Sequence, residues 1–168
     1  MSTIATVEEV NGSVPLALSL ELTRVIKAPR ARVFDAWTRP EVIRQWFAPA
    51  KMQTPGAETD PVPGGAYKIT MQGTEPDEAA ERPSQSVKNF TTVTGQYTKV
   101  NPYDVLQFTW APSWETGTES LVTLYFRDVE GGTELRLVHE KIASDASCTG
   151  YSQGWAGCLD KLAEVLGR

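Results

Sequence analysis

The stretch SQGWAGCLDKLAEVLGR, residues 152–168, decides the fold. Its apolar side chains recur at three- and four-residue steps, which places them on one stripe of a helix. Ser144 and Asp145 are candidate N-cap residues, because their side-chain oxygens can accept from unpaired backbone N–H groups. The pattern therefore predicts a long amphipathic helix. Its apolar stripe comprises Cys148, Tyr151, Trp155, Cys158, Leu159, Leu162 and Leu166.

A second face of this predicted helix consists of Gly150, Gly154 and Gly157. Each glycine in a helix interior costs about 1 kcal/mol relative to alanine. Two explanations stay open at this stage. The glycines allow close approach by a neighbouring element or a second chain, or the first turns are frayed and the helix begins near Gly154.

The rest of the chain is dominated by alternating apolar and polar residues, which predicts half-buried strands. The alternation begins at residues 16–28, gives way to two short helices broken at Pro40, and resumes in strands joined by short turns. We therefore predict an α+β fold. A curved antiparallel sheet of about six or seven strands grips a long C-terminal helix, with two short helices after the first strand. Residues 1–15 are expected to be a weakly ordered lead-in, and residues 16–168 a single domain.

Composition excludes several function classes. The net charge is −5 and no basic run is present, so nucleic acid is not an expected partner. No stretch reaches the roughly 20 apolar residues of a membrane span, and the N-terminus does not resemble a secretory signal. Both cysteines fall on the helix stripe and suit a reducing cytoplasm, which is the expected location. One histidine and two cysteines do not make a recognisable zinc site, and phosphate-loop and dinucleotide motifs are lacking, so no metal or cofactor is expected.

Five segments together resemble a known family. In chain order they are LTRVIKAPRARVFDAWTRPEVIRQWF (22–47), DPVPGGAY (60–67), GQYTKVNPYDVLQFTW (95–110), VTLYFRDVEGGTELRLVHE (122–140) and GWAGCLDKLAEVL (154–166). They resemble the bacterial homologues of the activator of heat-shock-protein-90 ATPase, in the START-like (helix-grip, SRPBCC) superfamily. The resemblance implies a cavity between sheet and helix that admits an apolar small molecule. Relatives bind lipids, steroids or aromatic compounds, some are polyketide cyclases, and the eukaryotic namesake regulates a chaperone.

The candidate ligand-binding residues are the inward-facing aromatic and apolar side chains, because small-molecule sites are lined mainly by such groups. His139, the only histidine, is either a polar handle for the ligand or a core residue satisfied by its neighbours. No catalytic residue is assigned. The full set is Trp37, Trp46, Tyr67, Met71, Phe108, Trp110, Leu124, Phe126, Leu137, His139 and Trp155.

Arg24 is the one charged residue on the inward register of the first strand. An unpaired charge would be costly there. We therefore expect a buried ion pair with Asp60 or Glu140; recognition of an anionic ligand group is the alternative.

Three functions follow from these observations. The first is binding of a small hydrophobic or aromatic ligand in the cavity, with no turnover expected. The second is a cavity enzyme of the cyclase, dehydratase or hydrolase type, using His139 or Tyr67 for proton transfer. The third is a chaperone-activator-like interaction module in the stress response. The glycine face also makes a homodimer a candidate assembly.

Overall fold

The computed structural model describes residues 18–47, 52–73 and 90–167. The predicted lead-in, residues 1–15, lies outside these described residues. Seven strands and three α-helices are found in the described part of the chain. In chain order they are β1 (Leu18–Ile26), α1 (Arg30–Thr38), α2 (Pro40–Trp46), β2 (Met52–Thr59), β3 (Ala66–Gly73), β4 (Phe90–Asn101), β5 (Val105–Pro112), a short 3₁₀ helix (Ser113–Glu115), β6 (Ser120–Val129), β7 (Gly132–Ile142) and α3 (Asp145–Leu166).

The strands form one curved antiparallel sheet in the order β1-β7-β6-β5-β4-β3-β2. Neighbours from β2 to β7 are consecutive in the chain, whereas β1 pairs with β7, so that Ile26 lies opposite Thr133. A tight turn joins β6 to β7, with Gly131 at a φ of +88°, a conformation that favours glycine. The sheet grips α3 through the buried stripe of that helix. The predicted fold class is therefore confirmed.

Burial follows the predicted alternation along the strands. In β5, for example, Leu106, Phe108 and Trp110 are buried while the residues between them are partly exposed. The two short helices meet at Pro40, which occupies the first turn of α2, where its missing N–H is not needed. The indole N–H of Trp46 donates to the carbonyl of Ala36 over 2.8 Å and ties the two helices together.

Strand β2 has no counterpart in the sequence analysis. It contains Pro55 and Gly56, both unfavourable in strand interiors, and its register against β3 shifts between Gln53 and Gly56. It is tolerated because β2 is an edge strand, where proline leaves fewer backbone groups unpaired.

Helix α3 begins at Asp145, well before Gly154, so its glycines do not lie in a frayed segment ahead of the helix. Ser144 is the N-cap and its hydroxyl accepts from the backbone N–H of Ser147 over 3.1 Å, so a start near Gly154 is wrong. None of the described elements approaches the helix closely at its glycines. A Cβ placed at Gly150, Gly154 or Gly157 would have no atom of the described residues within 4 Å beyond its own surroundings in the helix.

Arg24 pairs with neither of the carboxylates expected from the sequence. Its Nε lies 3.4 Å from Oδ1 of Asp160 on α3, and the two side chains are 32% and 73% exposed. The expected buried pair with Asp60 or Glu140 is therefore wrong. Because both side chains are partly exposed, the charge of Arg24 stays solvated.

Because this pair is solvated, we expect Arg24→Met to change the free energy of unfolding by no more than about 1 kcal/mol. Urea denaturation measures this, and Asp160→Asn, which removes the other partner, should give an equally small change. A loss of about 3 kcal/mol or more would instead indicate a desolvated charge pair and contradict the placement.

Candidate functional site

A cavity of about 540 Å³ lies between the sheet and the first half of α3. Its volume falls in the range of about 300–1,000 Å³ that is typical of small-molecule sites. Three members of the predicted ligand-binding set line it, namely Met71 on β3, Trp110 on β5 and Trp155 on α3. The sheet and the helix therefore each contribute a wall, and Trp155 lies in the wall formed by the helix.

The other described lining residues were not in the predicted set. Three are aromatic: Phe47, Trp114 and Tyr151. Six are small or medium-sized: Thr91, Ala146, Ser147, Gly150, Gly154 and Cys158. The sequence pattern places Tyr151 and Cys158 on the apolar stripe of the helix, and Gly150 and Gly154 are energetically costly there, so the sequence contains a signal for these four.

Rings that contact one another hold the cavity in shape. The centroid of Trp155 lies 5.0 Å from that of Trp110 and 6.0 Å from that of Phe47. Trp110 also meets Tyr151 edge to face at 5.9 Å. Such aromatic pairs add about 0.5–1.5 kcal/mol each beyond area burial, so these contacts stabilise the walls of the cavity.

The glycines of α3 explain why the cavity is open beside the helix. Gly150 and Gly154 line it, and neither has a side chain to occupy the space that their missing Cβ atoms leave. Gly157 lies on the same helix face, one turn further along, and is not among the lining residues. Two glycines that are unfavourable for the helix therefore increase the volume beside it.

His139 lies behind the aromatic wall and is fully buried. Its Nδ1 is 3.1 Å from the indole Nε1 of Trp155, and its Nε2 is 2.7 Å from Oγ of Ser120. An indole N–H only donates, so Nδ1 must be unprotonated and the ring proton sits on Nε2, where it donates to Ser120. Burial lowers the pKa of His139 from its ordinary value of 6.5 to about 4, and the neutral ring is thus fixed in one tautomer.

Four further members of the predicted set surround a second void. Trp37, Trp46, Tyr67 and Phe108 line it together with Trp110, and its volume is about 10 Å³. That is room for about one water molecule, so these side chains form packed core rather than a second ligand cavity.

Tyr67 uses its hydroxyl within the core, donating to the backbone carbonyl of Thr109. Burial raises the pKa of this phenol well above its ordinary value. The remaining predicted residues lie in the core, away from the described lining of the large cavity: Leu124, Phe126 and Leu137.

A carboxylate stands at the edge of the cavity. Oε2 of Glu115 accepts from the hydroxyl of Ser147, a lining residue, and Oε1 accepts from the hydroxyl of Thr118 over 3.2 Å. Burial raises the pKa of the nearby Tyr151 phenol, and the negative charge of Glu115 acts in the same direction. The Tyr151 hydroxyl is therefore protonated at neutral pH.

The described part of the chain has neither a group of metal-ligating side chains nor a helix suited to span a membrane. Within residues 18–47, 52–73 and 90–167, histidine, cysteine, aspartate and glutamate form no group of three or more that could hold a metal ion. No helix in those ranges has the length and apolar character to cross a membrane.

Comparison with protein families matches residues 27–167 to the family described as "Activator of Hsp90 ATPase homolog 1-like protein". Comparison with curated proteins finds no match. The family match covers all three helices and strands β2 to β7, and it starts directly after the end of β1.

Solved structures share the fold. Protein CV1439 from Chromobacterium violaceum is 22% identical, with a TM-score of 0.75 over 90% of this chain and 99% of that one. The AHSA1 protein SPO3351 from Silicibacter pomeroyi is 23% identical, with a TM-score of 0.72 over 89% and 98%. The AHSA1-like protein from Aeromonas hydrophila is 21% identical, with a TM-score of 0.67 over 88% and 90%. At these identities the likeness concerns the fold alone.

Proposed function

The chain belongs to the activator of Hsp90 ATPase homolog 1-like family, and from this premise we propose that it binds a small, largely apolar molecule without turnover. The observation that carries the proposal is the cavity of about 540 Å³ between the sheet and α3. Its walls are mainly aromatic and apolar, which suits an apolar ligand because binding removes both surfaces from water.

In the enzymatic alternative, His139 or Tyr67 would transfer protons, but both side chains are hydrogen-bonded to other groups of the protein. Both ring nitrogens of His139 have partners, and the hydroxyl of Tyr67 donates to a backbone carbonyl. Neither residue is among the described residues that line the cavity. A general base must come within hydrogen-bond reach of the proton it removes, so this arrangement favours binding over catalysis.

The chaperone-directed alternative rests on the resemblance alone. No specific contact or surface of the described residues favours it over ligand binding. Stimulation of a bacterial chaperone ATPase by the purified protein would be its direct test.

Native mass spectrometry of the gently purified protein tests the proposal. We expect an extra mass of small-molecule size that is released when the protein is unfolded. Titration with N-phenylnaphthylamine, a neutral apolar dye that fluoresces in apolar sites, should give saturable binding that the released compound displaces. A bare chain mass together with no saturable dye binding would contradict the proposal.

A further inference from the structure

Unpaired polar atoms are concentrated in the wall of the cavity. Four buried side-chain nitrogen or oxygen atoms of the described residues have no hydrogen-bond partner, and three belong to lining residues. These three are the indole Nε1 of Trp110, the hydroxyl of Tyr151 and Oγ1 of Thr91. Buried polar groups are nearly always paired in folded proteins, so this grouping at one site indicates a partner other than the described residues.

Of these three residues, Trp110 and Tyr151 give the strongest evidence for a missing hydrogen-bond partner. Their residues are only 4% and 8% exposed, and their rings meet edge to face. An indole N–H only donates, and a protonated tyrosine hydroxyl has a proton to donate as well. The missing partner must therefore offer an acceptor atom.

In this structure the nearby carboxylate does not pair with the Tyr151 hydroxyl. Oε2 of Glu115 accepts from Ser147, Oε1 lies 3.2 Å from the Thr118 hydroxyl, and the Tyr151 hydroxyl has no hydrogen-bond partner. If the indole of Trp110 turned to donate to the oxygen of Tyr151, the O–H of Tyr151 would still lack an acceptor. Either arrangement leaves at least one donor for a ligand.

The charges around the cavity restrict the net charge of a suitable ligand. None of the described lining residues is charged, and the carboxylate at the edge of the cavity, Glu115, is negative. An anionic ligand would thus lose its hydration without gaining a cationic partner. An ammonium ligand would be attracted by the rings, but it has no acceptor for the two donors.

Resting on the proposed function, we infer that the cavity selects an uncharged, apolar ligand with a carbonyl oxygen. This oxygen accepts hydrogen bonds from the hydroxyl of Tyr151 and the indole N–H of Trp110. A carbonyl fits because its two lone pairs accept two hydrogen bonds, while the rest of the ligand contacts the aromatic walls. Tyr151 and Trp110 are then the residues that determine specificity.

Two planar probes measure how much a carbonyl group contributes to the affinity of a ligand. Fluorenone and fluorene have the same ring system and differ in the C=O group. Isothermal titration calorimetry should show fluorenone binding at least about tenfold more tightly than fluorene, the effect of one or two net hydrogen bonds. In Tyr151→Phe this preference should fall to about threefold or less, with the affinity for fluorene unchanged.

Further readouts separate recognition from a structural effect. Tyr151→Phe removes a buried unpaired hydroxyl, so its melting temperature should equal or exceed that of the wild type. The carbonyl stretch of bound fluorenone should lie at lower frequency in the wild type than in the variant. Tyr125→Phe, which removes an exposed hydroxyl on β6, is the matched control and should change neither quantity.

The outcomes are distinct. Equal affinities of the wild type for fluorenone and fluorene would overturn the inference and leave the proposed function intact. A preference that persists in Tyr151→Phe would overturn the role of Tyr151. If neither probe binds and the protein also takes up no dye, the proposed function fails and the inference fails with it.

Discussion

Replacing Gly154 with tryptophan is expected to weaken binding of N-phenylnaphthylamine by at least about tenfold, since forced overlap in a packed site costs about 1–3 kcal/mol. Gly154 lines the cavity, and a Cβ there would meet no atom of the described residues within 4 Å, so the new ring can occupy the space where the ligand would lie. The helix gains about half a kcal/mol, because tryptophan is a better helix former than glycine. Binding should thus be lost while the free energy of unfolding stays the same or rises.

Gly157→Trp is the matched control. It makes the same change in the same helix, also with an open Cβ position, but this residue does not line the cavity. Dye titration and urea denaturation of both variants should show equal stability and a loss of binding in Gly154→Trp alone. Unchanged dye binding in Gly154→Trp would place the binding site elsewhere.

The second large effect is a loss of stability in mild acid that depends on His139. Its pKa in the folded protein is about 4, against an ordinary value of 6.5. Between these two pH values the unfolded chain takes up a proton that the folded protein refuses, so stability falls as the pH is lowered through this window. The difference between the two pKa values corresponds to about 3 kcal/mol.

His139→Gln separates this effect from the other acid-sensitive groups. Glutamine can accept from Trp155 and donate to Ser120 but does not titrate in this range. Urea denaturation at about pH 7 and about pH 4 should show the wild type losing about 3 kcal/mol more than the variant. Glu140→Gln, on the neighbouring residue of β7, should behave like the wild type. Equal losses in His139→Gln and the wild type would show that the histidine is protonated in the folded protein.

Much of the fold was predictable because burial on one face of a sheet imposes a strict alternation. Leu106, Phe108 and Trp110 show it clearly, and all three are buried. Strand β2 carries no such signal. As an edge strand with Pro55 and Gly56 at a register shift, it is held by pairing with β3 rather than by its own pattern.

The site was less predictable because periodicity says which face of an element points inward, not whether the space inside is filled. Leu124 illustrates this. It faces inward as expected but is fully buried in packed core, so a tryptophan there would overpack the core rather than fill the cavity. The better signal was Gly150 and Gly154, whose energetic cost in the helix now has an explanation in the open wall beside them.

The pairing of β1 with β7 also bears on how the chain folds as it is synthesised. Ile26 must wait for Thr133, more than a hundred residues later, before its strand has a neighbour. At about 5–20 residues per second, β1 leaves the ribosome seconds ahead of its partner. During that interval its apolar side chains and backbone groups lack a neighbouring strand, a condition that promotes association with other chains. Nascent chains of this protein are therefore most vulnerable to aggregation before β7 emerges, and conditions that slow translation beyond β1 would prolong that exposure.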